Sequence, residues 1–168
     1  MAARWVPVVW TPVMERGRGG YKEGFAGGYR VRLTRDWQGN VGKTLFRGMQ
    51  EIPDGEPAIG PSARTRGARP HADIPVDPSG SVHPRTGGIS VAPDTPSNLP
   101  RHRRPPEYGG TGKDPLWSIQ EGDLGAHLKY VADAVPAPIH GVIEPIMPMT
   151  FVAYQQALAE TAPYWVRR

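Results

Sequence analysis

The sequence predicts an α+β domain with a small core threaded by long irregular loops, and three observations predict it. Short strand-like segments are scattered through the chain, and one amphipathic segment near the C-terminus carries a helix cap. Glycine and proline account for 41 of 168 residues, close to the range of low-complexity chains. Five Trp, six Tyr and three Phe nevertheless supply apolar area that a wholly disordered chain lacks. At this length one domain with a real core is expected.

Residues 1–27 read as an irregular N-terminal extension ending in glycines. In "GGYRVRLTRDWQGNVGKTLF", Tyr29, Val31 and Leu33 alternate with Arg30, Arg32 and Thr34, which is the period of a strand. "DWQGN" supplies turn residues, and "VGKTLFRGMQ" fits either a second strand or a short helix. Residues 51–87 repeat Pro, Gly, Ser and Arg and read as a long loop. "TGGISVAP" is a short strand entered through two glycines, and 93–114 is loop again. "LWSIQ" predicts a strand, "LGAHLKYVAD" one at His127–Tyr130, and "IHGVIEPIMPM" a buried strand ended by Pro145. The helix is the clearest element: Thr150 caps it, Phe151, Tyr154, Leu158 and Thr161 share a face, and Pro163 limits it.

Composition excludes several classes. With no cysteine there is neither a disulfide scaffold nor a thiolate metal site. The five histidines, at 71, 83, 102, 127 and 140, show no close ligand spacing, so no metal is expected. No apolar run approaches the length of a membrane-spanning helix, so no membrane partner is expected. Pro7 and Pro12 break the N-terminal apolar stretch, and export by a cleaved signal peptide is not expected. The net charge of +4 is concentrated: residues 64–104 hold seven Arg against three Asp, while the rest of the chain is balanced. Arginine, with its planar fork, suits phosphate and pyrophosphate. An anionic cofactor, a nucleic acid and an acidic protein are all compatible with that excess, as is a solvated loop.

Two motifs invite a chemical reading. "GGTGKD" in 109–114 suggests a phosphate-cradling loop, but Glu107 stands where a P-loop needs its first glycine and Asp114 where it needs Ser or Thr. It reads as a glycine-rich turn whose amides can still face an anion. "GGIS" around Ser90 lacks the G-x-S-x-G pattern of a hydrolase elbow. On the strand ending at Pro145, His140, Val142 and Glu144 fall on one face, giving a half-polar wall.

Taken in order, "GYRVRLTRDWQGNVGKTL", "TGGISVAP", "LPRHRRPP", "GGTGKDPLW" and "HGVIEPIMPMTFVAYQQAL" resemble the Tse-two family of type VI secretion toxins. The resemblance runs from about residue 28 to the end, which makes 28–168 an ADP-ribosyltransferase-like toxin domain. It implies two small, roughly perpendicular sheets around an NAD cleft, toxicity inside bacterial cells, a cognate immunity protein and a macromolecular target. The producer's cytoplasm and, after delivery without a signal peptide, that of a target cell are the expected locations. Residue by residue, it implies that Arg30 holds the cofactor; the neighbouring Tyr29 either stacks on an aromatic ring of it or packs in the core. Ser90 shapes the nicotinamide pocket, and Glu144 stands beneath the breaking bond; His140 either binds a ribose hydroxyl or holds the strand. Cleaving nicotinamide from ribose builds positive charge on the sugar, which a nearby carboxylate stabilises. Transfer to a target and hydrolysis of NAD are both open. So are two non-enzymatic alternatives: a basic module that binds nucleic acid through 64–104, and a catalytically dead relative that engages a partner protein.

Overall fold

The computed structural model describes residues 42–168 and, before them, the backbone of two strands, β1 (Glu23–Ala26) and β2 (Tyr29–Arg32). The chain divides into two units, Met1–Asn40 and Val41–Arg168. In the first, β1 and β2 form an antiparallel hairpin in which Phe25 faces Arg30. The alternation that begins at Tyr29 thus falls on a strand over 29–32, while the side chains of Tyr29 and Arg30 lie outside the described residues.

The second unit is built on a six-stranded antiparallel sheet in the order β10-β6-β3-β5-β8-β7. Its members are β3 (Thr44–Gly48), β5 (Ile89–Pro93), β6 (Leu116–Gln120), β7 (Leu128–Ala132), β8 (Gly141–Pro145) and β10 (Val166–Arg167). A second, two-stranded sheet pairs β4 (Ser81–Val82) with β9 (Met149–Thr150). The α+β class holds. The segment 43–50, ambiguous between strand and helix, is a strand: Leu45, Phe46 and Met49 are all buried, on both faces, which erases the alternation that normally marks β structure.

The six strands are unevenly joined. β3 pairs with β6 over five residues, from Thr44↔Gln120 to Gly48↔Leu116. β8 pairs with β7 over another five. Between these halves, β3 and β5 meet only at Leu45↔Pro93 and Phe46↔Ala92. Beyond those pairs the two strands part, leaving the Arg47–Gly48 end of β3 and the Ser90–Val91 end of β5 without a ladder between them.

Helix α1 (Phe151–Glu160) covers one face. Thr150 caps it in an extended conformation, its hydroxyl accepting the Ala153 N–H at 3.1 Å. Tyr154, Ala157 and Leu158 bury against Leu45, Ile89 and Ile143. Each fully buried aliphatic side chain in that cluster contributes about 1.5–3 kcal/mol. The Tyr154 hydroxyl donates to the Ile143 carbonyl at 2.6 Å and accepts the Ile89 N–H at 3.3 Å, tying β5 to β8. On the opposite face Phe46, Ala92, Leu99 and Leu116 form a smaller cluster under the 96–108 segment. That segment crosses close above β3, so that a β-carbon on Gly48 would stand 2.6 Å from the Arg103 carbonyl oxygen. Glycine at this position is what allows the crossing.

Candidate functional site

Where β3 and β5 part, the structure holds a cavity of about 180 Å³. Arg47, Gly48, Ser90, Asn98, Arg103 and His140 are among its lining residues. Arg47 sits on β3, 5 % exposed. Its Nε donates to the Thr65 carbonyl at 3.1 Å, one terminal nitrogen to the Ser90 carbonyl, and the other to the Ala63 carbonyl at 3.2 Å. Among the described residues no carboxylate lies within ion-pair distance of it. Burial without such a partner lowers its pKa from 12.5 to about 10. A guanidinium has five N–H donors, so three bonds to carbonyls leave two, one on each terminal nitrogen. A charged fork with two donors to spare, at the wall of a cavity, is a seat for a bidentate anion.

Ser90 is exposed on β5 and pairs across the ladder with Val142 of β8. Opposed residues share a face, and so do residues two apart on a strand. Ser90, Val142 and Glu144 therefore lie on one side of the sheet, and His140 immediately precedes β8. The register unites what the sequence left in separate segments. The side chains divide nonetheless: Ser90 and His140 line the cavity, and Glu144 does not. Glu144 is 1 % exposed. Its Oε2 accepts the Arg85 backbone N–H at 2.8 Å, and its Oε1 stands 3.1 Å from the Lys129 ammonium. Both oxygens face protein.

His140 follows the β7–β8 turn, and its Nδ1 lies 2.9 Å from the Asp133 Oδ2. The Asp133 backbone N–H returns a bond to the His140 carbonyl at 3.1 Å, closing the turn on itself. Asp73, also lining the cavity, is held by Arg69 through its side-chain nitrogens and its backbone N–H. Partial burial pushes the Asp73 carboxyl up, but the Arg69 bonds and charge outweigh it and hold the group below the ordinary carboxylate range.

A second, shallower hollow of about 610 Å³ adjoins the first and shares Ala63, Arg69, His102 and Arg103 with it. Thr111, Gly112, Lys113 and Asp114 also line it. "GGTGKD" is therefore a turn that borders an electropositive hollow. It is fastened to the preceding basic stretch by the Thr111 and Gly112 N–H groups, which donate to the Arg101 and Arg104 carbonyls. The cationic run of 64–104 is largely engaged within the fold. Arg64 pairs with Asp114, Arg69 with Asp73, Arg66 is buried with a bond to Ala159, and Arg104 donates to Ser97. That leaves fewer cations for a polyanion than the composition suggests.

Two predicted site residues, Tyr29 and Arg30, lie on β2, whose side chains are outside the described residues. Arg47 was missed. The available signal was a lone arginine inside an apolar strand, "LFRGM", where a buried charge needs a reason.

A model of the family described as Tse2 ADP-ribosyltransferase toxin matches residues 43–167. The match begins one residue before β3 and after β2, so it contains Arg47, Ser90, His140 and Glu144 and leaves out Arg30. No curated protein and no solved structure matches the chain.

Proposed function

This chain belongs to the Tse2 ADP-ribosyltransferase toxin family, and on that premise we infer that it consumes NAD in the hollow where β3 and β5 part. The observation that carries the reading is Arg47: a buried guanidinium with no carboxylate among the described residues and two uncommitted donors, beside Ser90. In this reading Arg47, rather than Arg30, grips the pyrophosphate. The smaller cavity takes the nicotinamide riboside against Ser90, and the adjoining hollow takes the adenosine half between Arg69, Arg103 and the 111–114 turn. The two hollows adjoin and together make an extended trough whose cations match the middle of the ligand. The half-sheets on either side of the sparse β3–β5 junction are then the two walls of the cleft expected of such enzymes.

Cleavage of the bond between nicotinamide and ribose releases a neutral base, so no strong general acid is required. The protein supplies position and field. Arg47 and the rim arginines fix the diphosphate, which holds the sugar in place and sets fixed charge beside it. Glu144 serves here as an internal anchor, holding the Arg85 turn and Lys129 against β8, and does not touch the ribose. The product ADP-ribose passes to a macromolecule inside a bacterial cell, with a cognate immunity protein as the antidote.

The test is nicotinamide release from NAD by the purified chain, alone and in bacterial extract, alongside growth arrest on expression. Wild type should release nicotinamide, and Ser90→Ala should be folded but slower. A folded wild-type protein that neither binds NAD in calorimetry nor releases nicotinamide overturns the reading.

A further inference from the structure

We propose that His140, oriented by Asp133, is the base that takes the proton from the ADP-ribose acceptor. The proposal rests on the NAD-consuming reading above and adds the half of the reaction it leaves unassigned. Nicotinamide needs no acid to leave, but the incoming hydroxyl, amine or water must lose a proton. Among the described residues lining the cavity, the side chains that titrate are Arg47, Arg69, Arg103, Asp73, His102 and His140. Arginine does not accept a proton at neutral pH, since it already carries one. Asp73 is consumed by the Arg69 fork and its backbone N–H, and its carboxyl is held below the ordinary range, which makes it a poor base. Glu144 does not reach the cavity.

The two histidines differ in how they are held. His102 is exposed and forms no hydrogen bond with a described side chain. His140 is held twice, through Nδ1 to Asp133 and through its carbonyl to the Asp133 N–H. An ionised carboxylate can only accept, so Nδ1 carries the hydrogen, and in the neutral imidazole Nε2 then holds the lone pair. This is a base with its orienting partner in place, the arrangement that general-base catalysis asks for. His140 also lines the cavity together with Ser90, at the nicotinamide end of the proposed trough.

The step balances. The acceptor's lone pair forms a bond to the anomeric carbon of the nicotinamide riboside. The bond from that carbon to the ring nitrogen breaks, and its electron pair neutralises the pyridinium, which leaves as nicotinamide. The acceptor's proton moves to His140 Nε2, and from the imidazolium to solvent. His140 is a catalytic residue in this scheme and Asp133 a positioning residue.

The experiment uses the full chain and nicotinamide release from NAD in bacterial extract, which supplies acceptors as well as water. His140→Gln should lower kcat about 100-fold, in keeping with general-base catalysis, while KM for NAD stays within about twofold. Asp133→Asn should lower kcat about tenfold with the same unchanged KM. Both side chains are about half exposed, so both variants should melt like wild type. His140→Ala should recover part of its rate on addition of free imidazole, which a structural role cannot explain. Release by His140→Gln equal to wild type overturns the proposal and leaves NAD consumption standing, as does a loss confined to KM or a folded His140→Ala that imidazole does not rescue. Wild type without any release removes the parent reading, and this one with it.

Discussion

Replacing Arg47 with lysine keeps the charge and removes the fork. In the structure the guanidinium spans three carbonyls, those of Thr65, Ala63 and Ser90, which come from two different segments. A single ammonium at the end of a lysine stem satisfies one of them. Hydrogen bonds to a charged donor are worth about 1.5–3 kcal/mol each. Because the Ala63 and Ser90 bonds are only partly buried, water replaces some of that, and the lower figure applies to each of the two lost. The expected destabilisation is about 3 kcal/mol, a sizeable share of the 5–15 kcal/mol typical of a domain. With a urea slope of about 1.5 kcal/mol/M, the unfolding midpoint should fall by about 2 M. Calorimetry on the folded variant should show ADP-ribose binding at least tenfold weaker, since a lysine cannot reproduce two parallel bonds to a diphosphate. A midpoint within about 0.3 M of wild type, with ADP-ribose affinity unchanged, would refute both the structural and the ligand-binding role assigned to this residue.

Three further outcomes follow from the same geometry. Tyr154→Phe leaves the Ile143 carbonyl and the Ile89 N–H without partners in a fully buried place and should cost about 2–4 kcal/mol in denaturant unfolding; a loss below about 0.5 kcal/mol would show that water reaches the gap. Glu144→Gln removes the charge that Lys129 faces while retaining an acceptor for the Arg85 N–H. Because Lys129 is more than a third exposed, the expected cost is modest, about 1–2 kcal/mol, with kcat for nicotinamide release within about threefold of wild type; a 100-fold loss would return Glu144 to the sugar. Asp73 has a carboxyl held below its ordinary value of 3.8, so the stability it contributes is full above that value and is lost as pH falls through the lowered one. Asp73→Asn should therefore flatten the decline of stability below about pH 4, measured as thermal midpoint against pH, and an unchanged slope would sever the link to Arg69.

Much of the scaffold was legible. Thr150 followed by Phe151, Tyr154 and Leu158 marks a capped helix because both signals are local: one hydroxyl three residues from its N–H, and one apolar stripe. β5, β6 and β8 show themselves as short apolar runs between turn residues. β3 resists because it is buried on both faces, so period 2 disappears. Within the site, the strand period alone placed His140, Val142 and Glu144 on one side. It did not say that the Glu144 carboxylate is covered by the Arg85 turn, since Arg85 is 59 residues away in sequence.

The sequence by itself determined the class of fold, the position of the helix, most of the strands and a family resemblance from an ordered set of short segments. These rest on spacing, capping and composition, all properties of neighbours along the chain. Only the tertiary structure decided which side chains meet. Arg47 is drawn in by carbonyls 16, 18 and 43 residues away, and Ser90 is set beside Val142 by a ladder no local pattern specifies. The physical reason is that a buried charge and a strand register are settled by desolvation and pairing between distant segments, and neither leaves a periodic trace in the order of residues.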